Sequence, residues 1–217
     1  MINIKILGNK YALPSCKEIS ISRFIEFLTF ADANQPESLK NPDYEGERSY
    51  IGEAKYFALE LNFWTGCPLP DLHRHNIEEL YSIWAMHQPY LYCAPETNYN
   101  CFQVGTDIYY LPAKFMTNST IETYAEANEY ERNLADVANG VYEALPKIAA
   151  VICRKEGERF GQYDVEERSQ LFSKELTAWD AFQVGFFLQR QSEKLSKDFQ
   201  IYSTSLTLAQ LKQVYKN

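Results

Sequence analysis

The chain of 217 residues carries a formal net charge of −8, and 46% of its residues are hydrophobic. These values are typical of a soluble globular protein that builds its core without disulfides or metal, and the net acidity excludes a sequence-independent grip on nucleic acid, which needs clustered Lys and Arg. Aromatic residues are frequent, at 15% of the chain, so their division between core and surface bears on function.

A β-hairpin followed by a helix is predicted at the N-terminus. Alternating isoleucines over residues 2–6 indicate a strand, and residues 11–14 begin the returning strand after a turn at 8–10. Ser20 or Ser22 is expected to cap the helix that follows, because a hydroxyl there can accept a hydrogen bond from the first helical turn.

Two further helices are predicted before residue 100. Residues 32–47 contain two prolines and a glycine among polar neighbours and predict a loop, followed by a helix over about 48–62. Two prolines and a glycine at 65–70 end that helix. Asn76 is then expected to cap a short helix over 77–86.

The second half is predicted to be a hairpin followed by helices. Strand, turn and strand are expected over 102–112, and the expected helices are 121–139, 141–153, 165–175, 178–197 and 206–215. A charged loop is predicted at 154–159. The fold class is therefore α+β and helix-dominated, with two β-hairpin-plus-helix units and a C-terminal helical bundle. The domains are 1–100 and 101–217, or the chain forms one continuous domain.

The two hairpin-plus-helix units share a sequence pattern. Tyr-x-Leu-Pro occurs at 11–14 and 109–112, and Ser/Thr-Ile-x-x-aromatic-x-Glu follows at 20–26 and 120–126. The pattern indicates either a duplicated unit or a hairpin-helix signature that arose twice by chance.

The N-terminal segment and the cysteines predict a soluble protein of a reducing compartment. The first eight residues are too short for a secretory signal, and the longest apolar run, 148–153, is far below the roughly 18 residues that span a bilayer. The cysteines are odd in number and far apart, which favours buried thiols over disulfides. They are Cys16, Cys67, Cys93, Cys101 and Cys153.

A candidate metal site lies at Cys67, Asp71, His73 and His75, which offer a thiol, a carboxylate and two imidazoles within nine residues. The spacing differs from that of structural zinc sites, and histidines two apart point to opposite sides of an extended chain. We interpret the segment as a polar loop, with a metal-dependent hydrolase as the alternative. Phosphate-loop and dinucleotide motifs are absent from the sequence, so no cofactor is predicted.

Aromatic residues are concentrated in residues 81–110 and in the helix over 179–188. Tyrosine offers a large apolar area with a polar tip and is frequent at protein interfaces. The alternative is that these rings fill the core beside the second hairpin. The candidate partner-binding residues are Tyr81, Trp84, Tyr90, Tyr92, Tyr99, Tyr109, Tyr110, Trp179 and Phe186.

Residues 102–195 resemble the tail-assembly chaperone-like proteins encoded in tail gene clusters of tailed bacteriophages, especially those infecting Bacteroidetes. The resemblance consists of a hairpin ending in Leu-Pro, an apolar helix, a Glu-Gly-Glu turn and an aromatic-rich helix. The residues that carry it are Tyr110-Leu111-Pro112, Thr120–Tyr124, Leu145–Arg154, Lys155–Glu158 with Tyr163-Asp164, and Trp179–Leu188. The first hundred residues depart from a short chaperone of that kind, unless they are its duplicated copy.

The resemblance implies a protein that is not an enzyme. It would bind a hydrophobic helical segment of a tail component, such as a tape-measure or hub protein, and hold it soluble in the host cytoplasm until assembly. A permanent virion component, such as a baseplate, tail or head-tail connector protein, is the alternative within this class. No nucleic-acid or membrane partner is expected.

Overall fold

The computed structural model describes residues 1–41, 46, 49–92, 94–112, 129, 140–159 and 161–191. The strands are β1 (Ile2–Ile6), β2 (Asn9–Leu13), β3 (Cys101–Val104) and β4 (Asp107–Tyr110). The helices are α1 (Ile21–Asn34), α2 (Glu37–Lys40), α3 (Tyr50–Thr65), α4 (Leu69–Arg74), α5 (Ile77–Leu91), α6 (Gly140–Ile152), α7 (Val165–Glu175) and α8 (residues 178–191). The predicted helix-dominated α+β class is confirmed.

Both predicted hairpins are present as separate two-stranded antiparallel sheets. In the first, Ile6 pairs with Asn9, so Leu7 and Gly8 form a two-residue loop one position earlier than predicted. Both loop residues have positive φ, 48° and 85°, which is the requirement of a type I′ turn. This register places Ile4, Ile6 and Leu13 in the core.

Helix α1 begins where its capping residue predicts. The Ser20 hydroxyl accepts a hydrogen bond from the Arg23 amide at 3.2 Å, so Ser20 is the N-cap. The helix continues to Asn34, and α2 follows within the range predicted as a loop. The prediction missed α2 because a single helical turn has no periodicity of its own to detect.

Helices α3, α4 and α5 form a continuous run in which two predictions are wrong. Helix α3 ends at Thr65 with Gly66 as its C-cap, as the glycine and the prolines predict. The segment 67–75, interpreted as a polar loop, instead contains α4, which begins at Leu69 with Pro68 as its N-cap and Pro70 in its first turn. Proline is tolerated there because the first helical amides have no partner within the helix. Helix α5 begins at the predicted cap, Asn76, but runs five residues beyond the predicted end and past Pro89.

Tertiary contacts hold the last turn of α5. The Tyr90 carbonyl accepts a hydrogen bond from the Cys16 amide at 2.8 Å, and His87 Nε2 lies 2.7 Å from the Pro14 carbonyl oxygen. Leu91 is fully buried. The partner residues Cys16 and Pro14 are more than 70 positions away in sequence. The local sequence pattern therefore does not show that the helix continues past Pro89.

The C-terminal helices agree closely with the predictions. Helices α6 and α7 lie within one residue of their predicted bounds, and the charged segment 154–159 is a loop between them. Asp164 caps α7 by accepting from the Glu167 amide at 2.9 Å. The helices predicted over 121–139 and 206–215, and the end of the one predicted over 178–197, lie outside the described residues, so the duplication stays a prediction.

The main apolar core contains residues from both halves of the chain. It joins α1, α3 and the end of α5 to β3, β4 and the three C-terminal helices. Backbone hydrogen bonds also cross between the halves, from Ile21 to Leu176 and from Ala178 to Ile19. Residues on both sides of the predicted boundary at residue 100 therefore share one apolar core and backbone hydrogen bonds.

A smaller core lies beneath the first hairpin. It consists of Ile4, Ile6, Leu13, Ala58, Leu61, Cys67, Leu72 and Leu80. The second hairpin instead packs within the main core, against Phe172 of α7. The two hairpins thus have different surroundings. Among the described helices, none combines the length and the apolar character needed to cross a membrane.

Candidate protein-binding surface

The structure removes Tyr109 from the predicted partner-binding residues. Its side chain is 2% exposed, and its ring stacks on Phe102 and meets Phe172 edge-on, with centroids 5.7 and 4.8 Å away. Successive residues of a strand point to opposite faces, so Tyr109 points into the core while Tyr110 is exposed. The expectation that Tyr109 contacts a partner is therefore wrong.

Tyr99 has an internal partner in the structure. Its hydroxyl donates to Asp180 Oδ1 at 2.6 Å, and the Thr177 hydroxyl donates to the other carboxylate oxygen at 2.6 Å. Burial and the neighbouring Asp180 carboxylate raise the pKa of Tyr99. This pair attaches the segment before β3 to the start of α8, so the tyrosine has a structural role.

The two predicted aromatic residues of α8 are half-buried. The Trp179 ring is covered by the Lys17 ammonium, 4.0 Å from its centroid, and the Trp179 amide donates to the Cys16 carbonyl at 2.9 Å. Phe186 packs against the main core. Both residues mainly join α8 to the rest of the molecule.

The remaining predicted tyrosines are exposed. Tyr81, Tyr90, Tyr92 and Tyr110 keep 52, 49, 50 and 41% of their surface accessible. Tyr110 lines a cleft of about 450 Å³ together with Arg154 and Lys155. Tyr81 and Tyr92 belong to α5 and its C-cap, where they come together with other aromatic groups.

Ile77, Tyr81 and Trp84 follow one another at spacings of four and three, so they lie along one face of α5, and the C-cap residue Tyr92 follows eight positions later. Phe57 of α3 forms the floor beneath them. Its ring centroid is 4.5 Å from that of Trp84 and 5.5 Å from that of Tyr81. We call this set of five residues the α3–α5 aromatic surface.

A buried carboxylate supports this surface from below. Glu60 of α3 is 1% exposed and accepts hydrogen bonds from Trp84 Nε1 and from Gln88 Nε2, each at 2.7 Å. Burial raises the pKa of Glu60, and the hydrogen bonds from Trp84, Gln88 and Tyr56 oppose that rise. The carboxylate therefore fixes the orientation of the indole and of the amide one turn further along α5.

At the C-terminal end of α5 the Tyr92 ring packs against the main core. It meets the fully buried Phe24 of α1 edge-on at 5.9 Å, and the ring of Tyr142 of α6 lies 5.8 Å from the Phe24 ring. Sequence reasoning missed Phe57, Glu60 and Tyr142. For Glu60 a signal was present, because it is an acidic residue directly between two leucines of a predicted helix.

The residues of the candidate metal site do not form one site. Cys67 is fully buried, and a hydrogen bond between its thiol and the Tyr11 hydroxyl raises the pKa of Tyr11. His73 is exposed on α4, whereas His75 Nε2 lies 2.9 Å from Glu79. The segment that carries them was interpreted as a polar, extended loop, but its residues Leu69–Arg74 form helix α4. Among the described residues, no three His, Cys, Asp or Glu side chains come together to hold a metal.

The cysteines agree in part with the prediction of buried thiols. Cys16, Cys67 and Cys153 are buried, while Cys101 is half-buried, and none of these four forms a disulfide. Burial raises the pKa of the Cys153 thiol, which opposes nucleophilic reactivity because the thiolate is the reactive form. Cys93 lies outside the described residues.

The described side chains thus assemble a patch of partly exposed rings over the buried ring of Phe57. Such a patch is suited to contact with another apolar surface, because aromatic side chains bury a large area with little loss of rotamer freedom. Comparison of the chain with protein-family models, with curated proteins and with solved structures gives no match.

Proposed function

We propose that the chain is a non-enzymatic protein of bacteriophage tail assembly that holds an apolar helical segment of a tail protein on the α3–α5 aromatic surface. The observation that carries the proposal is the exposure of Ile77, Tyr81 and Tyr92 on α5 and its C-cap, with the Tyr81 ring packed against the buried ring of Phe57. The resemblance of residues 102–195 to tail-assembly chaperone-like proteins supplies the biological setting.

The physical chemistry of the surface supports such a role. An amphipathic helix that binds a groove does so by burying its apolar face, and covering a half-exposed tyrosine removes about half of the roughly 150–250 Å² that an aromatic side chain buries in full. The net charge of −8 repels further copies of the chain. A chaperone needs both properties, since it must bind an apolar segment and stay dispersed itself.

The test is co-expression with the proteins of the neighbouring tail genes, using a tag on this chain. We expect one tail protein to co-purify and to become more soluble. Tyr81→Ser should reduce the recovered partner at least fivefold. Tyr110→Ser is the matched control, because Tyr110 is similarly exposed but lies on the second hairpin, and it should leave recovery unchanged. A complex with no tail protein, or equal loss in both variants, contradicts the proposal.

Mass spectrometry of purified particles distinguishes the chaperone role from that of a virion subunit. A chaperone acts in the host cytoplasm and leaves the complex, so it should be absent from particles. Presence at a stoichiometric level would instead assign the chain to the baseplate, the tail or the head-tail connector.

A further inference from the structure

We infer that His87 is an acid-sensitive switch, which holds the last turn of α5 against the β2–α1 connection (residues 14–20) while its ring is neutral and releases that turn when the ring takes up a proton. This inference does not rest on the proposed function. It follows from the enclosure of the ring, from the charged groups around it and from the weakness of α5 near Pro89.

The His87 ring is enclosed by α5, by the β2–α1 connection and by α3. Its side chain is fully buried, and Trp64 of α3 meets it edge-on with centroids 5.9 Å apart. Nε2 lies 2.7 Å from the Pro14 carbonyl oxygen. Because a carbonyl only accepts, this hydrogen bond assigns the proton of the neutral ring to Nε2 and leaves the lone pair on Nδ1.

A further proton on His87 would have to go to Nδ1, which is shielded from water. Among the described residues no group forms a hydrogen bond with Nδ1, so protonation would create a buried charge together with a donor that has no acceptor. Burial accordingly lowers the pKa of His87 from its ordinary value of 6.5, and the hydrogen bond to the Pro14 carbonyl opposes that change.

The direction of the pH dependence follows from this shift. An imidazole that is released to water takes up a proton as the pH falls below about 6.5, whereas the enclosed ring stays neutral to a lower pH. The open form therefore binds more protons than the closed form in this range. The closed form loses stability as the pH falls from 6.5 through the pKa of the enclosed ring.

The charged groups of the β2–α1 connection are engaged away from His87. The Lys17 ammonium lies over the Trp179 ring, 4.0 Å from its centroid. The Glu18 carboxylate is 2.6 Å from the N-terminal amino group and also accepts from the Ser15 hydroxyl. The connection thus presents a backbone carbonyl to the ring, and its one carboxylate already has a cation beside it.

The carboxylate of α3 near His87 is also engaged elsewhere. Glu60 accepts hydrogen bonds from Trp84 and Gln88. Burial raises the pKa of Glu60, so this carboxylate takes up a proton of its own as the pH falls. It therefore cannot serve as a lasting counter-charge for a protonated His87. The other titratable groups on these elements include the Cys16 thiol and the hydroxyls of Tyr56 and Tyr90.

The part of α5 that His87 holds is weak by itself. Pro89 lacks an amide hydrogen and cannot donate within the helix. Beyond it, the Tyr92 amide donates to the Gln88 carbonyl at 3.3 Å, and the Tyr90 carbonyl accepts from the Cys16 amide at 2.8 Å. Both bonds lie within about one turn of His87, so loss of the contact with Pro14 acts on them directly.

Hydrogen exchange of single amides, followed by NMR on the full chain at pH 7 and pH 5, tests the switch. Each rate is divided by the intrinsic rate at the same pH. We expect protection of the Cys16 and Tyr92 amides to fall about tenfold at pH 5, because each pH unit below 6.5 can shift the ratio of open to closed forms by up to tenfold. The Cys153 amide, which donates to Ala149 at the end of α6, should keep its protection.

Two histidine variants assign the effect to one ring. In His87→Gln the side-chain amide can still donate to the Pro14 carbonyl but does not titrate, so the fall in protection should shrink to less than twofold. His73→Gln is the matched control, because His73 is exposed on α4, and it should keep the tenfold fall. Circular dichroism and thermal unfolding establish that each variant is folded.

A third variant separates His87 from its titrating neighbour. Glu60→Gln should keep the tenfold fall at Cys16 and Tyr92. If Glu60→Gln abolishes the fall, the pH dependence belongs to Glu60 and the inference is overturned. An equal fall in His87→Gln and the wild type, or an equal fall at Cys153, overturns it as well.

A measurement on the wild type alone covers the case in which His87→Gln does not fold. The ring carbon and proton shifts of His87 record its protonation during a titration from pH 7 to pH 5. Loss of protection at Cys16 and Tyr92 should accompany the protonation of this ring. Protonation of His87 with unchanged protection of both amides, or loss of protection while the ring stays neutral, contradicts the switch.

Discussion

Glu60 stands out among the buried residues because its hydrogen-bond donors in the described part of the chain are neutral. Removing a carboxylate from water without a cation beside it is costly, and hydrogen bonds from Trp84 and Gln88 recover only part of the loss. The Glu60 carboxylate orients both donors, Trp84 and Gln88, which belong to α5. The loss of stability caused by burying the charged carboxylate should therefore depend on pH.

Glu60→Gln should stabilise the protein increasingly as the pH rises. Because burial raises the pKa of Glu60 above its ordinary value of 4.5, the native state retains a proton that the unfolded chain releases, and wild-type stability is lost as the pH rises through the folded pKa. Glutamine carries no charge at any pH and still offers Trp84 an acceptor. We expect equal stability near pH 4 and a gain on the order of 1 kcal/mol at pH 8.

Urea denaturation of the two proteins at a series of pH values measures this gain. The exposed Glu78 provides the control, because Glu78→Gln removes a carboxylate from the surface of α5 and should give no comparable rise between pH 4 and pH 8. A difference between Glu60→Gln and the wild type that does not change with pH would show that the charge of Glu60 is not the destabilising feature.

At the scale of elements, helix capping decides where the aromatic row begins. The Asn76 side chain accepts hydrogen bonds from the amides of Glu78 and Glu79 at 2.8 and 3.3 Å. These amides belong to the first turn of α5, which carries Ile77 and leads to Tyr81. The start of the helix, and with it the first part of the α3–α5 aromatic surface, depends on this single side chain.

Asn76→Ala should lower the free energy of unfolding by about 1 kcal/mol, because two first-turn amides lose their acceptor. Asn76→Asp keeps an acceptor at the same position and should retain most of the stability. Guanidinium denaturation monitored by circular dichroism compares the three proteins. If alanine and aspartate have the same effect, the cap does not hold this helix.

At the scale of the whole molecule, the close approach of α8 and α6 joins the C-terminal helices. A Cβ atom at Gly185 would lie 3.1 Å from Leu145 Cδ2, which is closer than side chains normally pack. Glycine costs a helix about 1 kcal/mol relative to alanine. Its presence in the middle of α8 is therefore explained by the surface that it meets on α6.

Gly185→Ala should have different effects in two backgrounds. In the wild type the added methyl group meets Leu145, which offsets the gain in helix propensity. In a Leu145→Ala background the space is open, so the same change should stabilise by about 0.5–1 kcal/mol. Urea denaturation of the four proteins closes the double-mutant cycle, and an identical effect in both backgrounds would exclude close packing as the reason for the glycine.

Much of the secondary structure could be predicted because its causes are local. Ser20, Asn76 and Asp164 each cap a helix by accepting an amide hydrogen bond from a residue two or three positions ahead. Helix α7 begins at its predicted position, directly after the Asp164 cap. The hairpins follow from alternation and from turns of two residues.

The sequence by itself thus determined the fold class, both hairpins and the starts of most described helices. Only the tertiary structure decided which aromatic residues are exposed. Tyr109 and Tyr110 are the same residue type in adjacent positions, yet one is buried and the other exposed. Likewise, α5 continues past Pro89 because distant groups hold its last turn. Capping and turn chemistry act over a few residues, whereas burial depends on which surfaces of the chain meet.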